Sequence, residues 1–276
     1  MSEQQKYFST QDGTSLFYRY RPAADGSSDK AIVLFHRGHE HSGRMMFVAD
    51  ELGFNDFSYF AWDARGHGYS PGERGDSPSI GTSVSDVDDF IRHIQSEYGI
   101  KPENICVIAQ SVGAVLVSTW LHDYAPKIRC AVLASPAFKI KLYVPFARTG
   151  LKIMQKWRGN FFVNSYVKAH YLTHNVERQK SYDNDPLIAR AISVRILLGL
   201  YEAAERVVAD AQAITTPVQL LISGSDWVVH HKPQHDFYNR LGSHIKERHI
   251  LPGFYHDTLG EQNREIAFVE MRRFIR

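Results

Sequence analysis

The chain is short of cysteine, of long apolar runs and of net charge, and each shortage removes a class of protein. Two cysteines, Cys106 and Cys130, give no disulfide framework. Both fall in apolar, strand-like runs, where buried and inert thiols are expected, and such usage fits a reducing compartment. No apolar run reaches 18 residues, so no transmembrane helix is expected. The opening Met1-Ser2-Glu3-Gln4-Gln5-Lys6 is polar and lacks an apolar core, so no signal peptide is expected either. A cytoplasmic location follows as the expectation. The formal net charge is +2, too small for the whole protein to bind a polyanion through bulk electrostatics, and no nucleic-acid partner is expected. Internal repeats and low-complexity segments are missing as well.

What is present is an ordinary globular composition, 43% hydrophobic and 22% charged over 276 residues, enough for one large α/β domain. Its most informative point is Ser111. Asn104 to Gln110 is a short apolar run that reads as a buried strand. Val112 to Leu121 reads as a helix that begins with small residues. The junction, Ala109-Gln110-Ser111-Val112-Gly113, is a G-x-S-x-G pattern with Ala in place of the first Gly. Such a strand–turn–helix holds the serine in a sharp turn with its Oγ exposed. The turn also aims the Val112 N–H and the positive end of the helix at one spot, where an oxyanion is stabilised.

The rest of a hydrolytic constellation follows in the order serine, acid, histidine. Val218 to Ser223 is a second apolar strand, and Gly224-Ser225-Asp226 turns out of its C-terminal end. Arg248 to Leu251 is a third strand-like run, followed by Pro252-Gly253-Phe254-Tyr255-His256. Catalytic groups of open α/β sheets gather at the C-terminal ends of parallel strands, and Ser111, Asp226 and His256 each lie just past one. Asp257 is a second candidate acid beside His256; Asp226 is favoured because it leaves a separate strand end. His230, His231 and His235 invite a zinc reading, but no Cys accompanies them and serine chemistry needs no metal. No metal and no cofactor are expected.

Along the chain, Lys6 to Arg21 reads as two strands joined at Asp12-Gly13. Ala31 to Phe35 and Phe57 to Trp62 read as strands, His41 to Gly53 as a helix. Val84 to Tyr98 carries apolar residues at helical spacing, and Ile128 to Ala134 is another strand. Strands alternating with helices imply a mostly parallel sheet covered on both faces. After Pro136 the pattern changes. From Phe138 to Ser181 there are nine Lys or Arg against one acidic residue, Glu177. Eight aromatics are interleaved: Phe138, Tyr143, Phe146, Trp157, Phe161, Phe162, Tyr166 and Tyr171. Residues 138–194 are therefore expected to form a basic, aromatic-rich helical cap without strands, inserted in a core of residues 1–137 and 195–276. A final helix runs from Glu261 to Arg276, after which a fused or partner domain could follow.

Two motifs surround the expected site: His36-Arg37-Gly38-His39-Glu40-His41-Ser42-Gly43-Arg44 and Asp63-Ala64-Arg65-Gly66-His67-Gly68-Tyr69-Ser70-Pro71-Gly72-Glu73-Arg74. With them, the chain from about Gly13 onward resembles the monoacylglycerol lipase and lysophospholipase branch of the α/β-hydrolases, also called serine-aminopeptidase-like hydrolases. Their patterns are H-G-x-G-E-H-S-G-R, D-x-x-G-H-G-x-S-x-G-x-R, G-x-S-x-G, a G-x-x-D turn and a late His. The resemblance implies an α/β-hydrolase fold with a cap, and the Gly38 N–H as a second oxyanion donor beside Val112. Arg37 and His39 stand where the family usually has Gly. They are expected either to meet the substrate, narrowing the pocket or binding an anionic headgroup, or to point to solvent or to the loop's own carboxylates such as Glu40. Phe138 and Trp157 of the cap are the other expected substrate contacts. His36, His41 and Glu40 are expected to brace the loop, and Asp63, Arg65, His67 and Arg74 to form a polar network under the rim.

The expected activity is hydrolysis of carboxylic esters of single-chain lipids through an acyl-enzyme on Ser111. His256 serves as base, Asp226 as its orienting acid, and Gly38 and Val112 as oxyanion donors. Basic residues on an apolar, aromatic cap favour contact with an anionic membrane surface, which places the protein peripherally at the inner face of a membrane. The alternatives are a small-molecule carboxylesterase, an aminopeptidase, or an interaction domain that docks through its basic cap.

Overall fold

A computed structural model describes residues 2–27, 29–144, 146–165 and 167–276; Tyr166 of the aromatic series lies outside them. The strands are β1 (Gln4–Ser9), β2 (Ser15–Arg21), β3 (Ala31–Phe35), β4 (Ser58–Trp62), β5 (Ile105–Gln110), β6 (Cys130–Ala134), β7 (Phe162–Asn164), β8 (Ala191–Ser193), β9 (Val218–Ser223) and β10 (Lys246–Leu251). The α-helices are α1 (Phe47–Leu52), α2 (Ile80–Tyr98), α3 (Val112–Tyr124), α4 (Ala147–Arg158), α5 (Val176–Asn184), α6 (Val194–Ala209), α7 (His231–Arg240) and α8 (Glu265–Ile275). Eight strands form one sheet in the order β1-β2-β4-β3-β5-β6-β9-β10. It is parallel from β4 to β10, with β1 and β2 antiparallel at one end.

The apolar runs form central strands because both faces of the sheet are covered, so their alternate side chains enter two cores. In β3, Val33 and Phe35 face the core that takes in Phe90 of α2, Trp120 of α3 and Leu200 of α6. Ile32 and Leu34 face the other, with Val48 of α1 and Phe268 and Met271 of α8. Helix α2 starts at Ser79, whose hydroxyl caps the Thr82 N–H, and buries Val84, Val87, Phe90, Ile91 and Ile94. Cys106 and Cys130 are free, buried and opposite each other on β5 and β6.

Three expectations change. The helix expected over His41–Gly53 is a short 3-10 turn, Ser42–Arg44, followed by α1. Asp63 takes the Ser42 N–H at 2.6 Å, which holds the preceding loop out of helical geometry. The last helix starts at Glu265 rather than Glu261. Glu261 is buried and accepts hydrogen bonds from Thr173, from the His174, Tyr255 and Gln262 N–H groups and at the His174 ring. Residues 138–194 lie outside the main sheet, but they do contain strands: β7 and β8 pair antiparallel, Phe162 opposite Ser193. Two three-residue strands nearly thirty positions apart carry too little alternation to be legible.

Candidate active site

Strand β5 ends at Gln110 and α3 begins at Val112. Ser111 between them has φ 56° and ψ −115°, a disfavoured backbone for a residue with a Cβ. The turn is over-determined. The Ser111 N–H donates to Ala134 O at 2.9 Å, and the Ala137 N–H donates to Ser111 O at 3.1 Å. A Cβ at Gly113 would collide with the carbonyl oxygens of Phe35 and His36, so only glycine lets α3 pack on the end of β3. The Ala109 side chain is fully buried without disturbing this.

Asp226 and His256 arrive from the ends of β9 and β10. His256 Nε2 lies 2.7 Å from Ser111 Oγ, and His256 Nδ1 lies 2.8 Å from Asp226 Oδ2. The remaining oxygen, Asp226 Oδ1, accepts the Val228 and Val229 N–H groups at 2.7 and 3.0 Å. With Asp226 accepting from Nδ1–H, Nε2 is left to accept the serine proton. Burial alone would raise the Asp226 carboxyl; the neighbouring imidazole and the two N–H groups outweigh it, and the net direction is down. Asp257 points elsewhere. Its carboxylate takes Arg178 Nε at 2.5 Å, Gln110 Nε2 at 3.2 Å and the Gly260 N–H at 3.2 Å. Gln110 also donates to His256 O at 3.1 Å, so it braces both flanks of the turn.

The loop after β3 packs on the same spot. A Cβ on Gly38 would sit 2.9 Å from Val112 Cγ2, so a larger residue here would have to displace the Val112 side chain. Val112 opens α3, so its N–H belongs to a first turn without intrahelical partners. The two backbones together can receive an oxyanion. Arg37 is buried and ion-paired, to Glu40 at 2.7 Å and Asp257 at 3.5 Å. Glu40 also holds Arg44 at 2.6 Å. Arg37 thus pairs with the loop carboxylate of Glu40 and also lines the cavity beside Ser111. His36 and His41 brace the loop: His36 bonds Arg37 O and accepts the Ala64 N–H, and His41 reaches Asp185 at 2.9 Å. Asp63 accepts the Ser42 and Tyr69 N–H groups, and Arg65 is bound by Asp86 and Asp12. Arg74 makes no ion pair or hydrogen bond among the described residues.

Ser111, His256, Gly38 and His39 open onto a cavity of about 780 Å³, within the range of sites for small organic ligands. Its walls are mostly apolar, and its lip carries Val144, Phe146, Ile153 and Met154. Phe138 does not line it. Leaving β6 directly, it is buried against Phe237 of α7, ring centres 4.7 Å apart. Trp157 does not line it either: one turn beyond Met154, it is 89% exposed. None of the twelve residues of α4 is buried. His230, His231 and His235 form no metal-like group. Among the described residues the one such group is Glu247, His249 and Glu270 on β10 and α8, where Arg273 already pairs with both carboxylates.

The profile of the serine aminopeptidase S33 hydrolase family matches residues 26–263. The chain belongs to this family. It is 61% identical over 269 residues to the protein YnbC of Escherichia coli, covering 98% of this chain and 46% of that one, so it spans about half of YnbC. It is 23% identical over 249 residues to the phospholipase YtpA of Bacillus subtilis, covering 88% and 93%. Among solved structures, a soluble variant of monoglyceride lipase from Saccharomyces cerevisiae in complex with a substrate analogue superposes with a TM-score of 0.87, at 17% identity, over 100% of this chain and 95% of that one. The fold is that of the α/β-hydrolases, as the motifs imply. No helix among the described residues is long and apolar enough to cross a membrane.

Proposed function

We propose that this hydrolase cleaves carboxylic esters of single-chain lipids, of the monoacylglycerol or lysophospholipid type, through an acyl-enzyme on Ser111. The observation that carries the reading is the continuous Ser111–His256–Asp226 hydrogen-bond chain opening onto an apolar cavity. His256 Nε2 takes the Ser111 proton as Oγ attacks the ester carbonyl. Asp226 holds the ring and stabilises its charged form. The Gly38 and Val112 N–H groups receive the oxyanion. His256 then protonates the departing alcohol, and a water that it deprotonates releases the fatty acid. The chemistry requires no cofactor. The names of YtpA and of the yeast neighbour support a lipid substrate. The sole carboxylate among the described lining residues, Asp76, is engaged by Ser193 and Arg195, which disfavours an aminopeptidase, since that would need a free anion for the substrate ammonium.

Residues 138–194 form the cap in this reading, over a core of residues 1–137 and 195–276. Phe146 is 88% exposed and, with Ile153, Met154 and Trp157, gives α4 and its approach an apolar outer surface beside Lys152, Lys156 and Arg158. That surface suits peripheral docking on anionic lipid. Initial rates over 1-monoacylglycerols, lysophospholipids, short esters and aminoacyl amides of matched concentration test the function. The single-chain lipid esters are expected to be fastest; amides cleaved faster than esters would overturn it.

A further inference from the structure

His39 has φ 71°, in the left-handed region that favours glycine. A side chain kept at such a position points to a use for it. The cap fixes the residue: the Ala189 N–H donates to His39 O at 2.9 Å, and the imidazole lies against the Ala189 carbonyl. The ring lines the cavity, and so does that of His67. His67 Nδ1 bonds Arg65 O at 2.8 Å, so this nitrogen carries the proton and Nε2 is an acceptor, with no hydrogen-bond partner among the described residues. His36 is the third ring, its centre 5.3 Å from that of His67, but both of its nitrogens are already used.

Burial pushes His39 and His67 down to about 4, helped by the imidazoles beside them, so both are neutral acceptors near neutral pH. Among the described residues that line it, the cavity has no free cation to add. Its two described guanidinium groups, Arg37 and Arg65, are paired with Glu40 and Asp257 and with Asp86 and Asp12. A phosphate headgroup would lose its water and gain no counter-ion, whereas a hydroxyl would find acceptors.

We propose that His39 and His67 form a headgroup subsite that accepts hydrogen bonds from the hydroxyls of an uncharged polyol ester, with His39 the specificity-determining residue. This rests on the ester-hydrolase reading above and selects, within it, glycerol-type monoesters over phosphorylated ones.

The test compares 1-monodecanoylglycerol with methyl decanoate, which share an acyl chain and differ in the headgroup hydroxyls. For His39→Gly the ratio of kcat/KM between the two is expected to fall roughly tenfold, mostly through KM. His39→Asn supplies a carbonyl acceptor, tolerates the left-handed backbone, and is expected to restore most of the ratio. Because glycine relieves the strained φ, the thermal midpoint of His39→Gly should equal or exceed that of the wild type. An unchanged ratio in His39→Gly would overturn the subsite. So would a wild-type preference for 1-decanoyl-lysophosphatidate over the monoglyceride, a measurement that needs no variant. Wild-type protein inert towards every ester would overturn the hydrolase reading itself, and the subsite with it.

Discussion

Two buried carboxylates flank His256 in different ways, and replacing each by its amide separates catalysis from fold. Asp257 belongs to a charge cluster that joins the cap to the core. Arg178 of α5, Arg37 and Arg44 face Asp257, Glu40 and Asp185, three charges against three. Asp257 is fully buried, and its carboxyl is held below the usual range: burial opposes ionisation, but Arg178 and Arg37 outweigh it. Asp257→Asn leaves the guanidinium groups one anion short in a low-dielectric site, which costs about 3–5 kcal/mol, a large share of the 5–15 kcal/mol that stabilises a typical domain. Asp226→Asn instead removes the acceptor that orients the His256 ring, and should lower kcat by about 10⁴-fold, as in serine triads generally. Urea unfolding followed by circular dichroism reads the first effect, and turnover of a short soluble ester reads the second. An Asp257→Asn, Arg178→Met double variant restores the charge balance and is expected to be more stable than Asp257→Asn alone. An Asp257→Asn protein that unfolds like the wild type yet loses as much activity as expected for Asp226→Asn would overturn this division of roles.

Ser111→Ala and His256→Ala should each lower ester turnover by roughly 10⁴-fold or more without additive loss in the double variant, because the two side chains act as a unit; additive losses in kcat would argue against it. A Lys152→Glu, Lys156→Glu, Arg158→Glu variant should lose anionic-vesicle binding by at least about 100-fold, at about 1 kcal/mol per basic residue, while short-ester hydrolysis persists. Unchanged vesicle binding in cosedimentation would falsify the docking surface. Acid should destabilise the fold before the carboxylates titrate. His36, His39 and His67 are held down to about 4 chiefly by burial, against about 6.5 unfolded. Between those values the unfolded chain binds more protons, so stability falls as pH falls through that window, by roughly 2 kcal/mol per ring at pH 5 before solvent screening. Equal urea midpoints at pH 7.5 and 5 would contradict this.

The elements that place Ser111, Asp226 and His256 are legible because each is a local event: an apolar run, then a small-residue turn, then a new periodicity. The loops are legible only in part. Gly38 stands out in its motif as the residue packed on Val112, whereas the pairing of Arg37 with Asp257 spans 220 positions and leaves no local trace. Gln110 does carry a local signal, a polar residue at the end of an otherwise apolar strand, immediately before Ser111. The roles of Arg178 and His67 depend on what the cap and the neighbouring loop bring against them. Phe138 and Trp157 show the limit from the other side. An aromatic in a cap reads as a substrate contact, but the direction in which its segment leaves the sheet, or the turn of helix it occupies, decides whether it reaches the cavity.

Every step proposed for this hydrolase depends on Ser111 being the residue acylated in turnover. Intact-mass and peptide mass spectrometry after treatment with a fluorophosphonate identifies that residue. One adduct per chain is expected, on the peptide carrying Ser111, formed far more slowly in His256→Ala. An adduct on another serine, or none at all in folded protein, would contradict it.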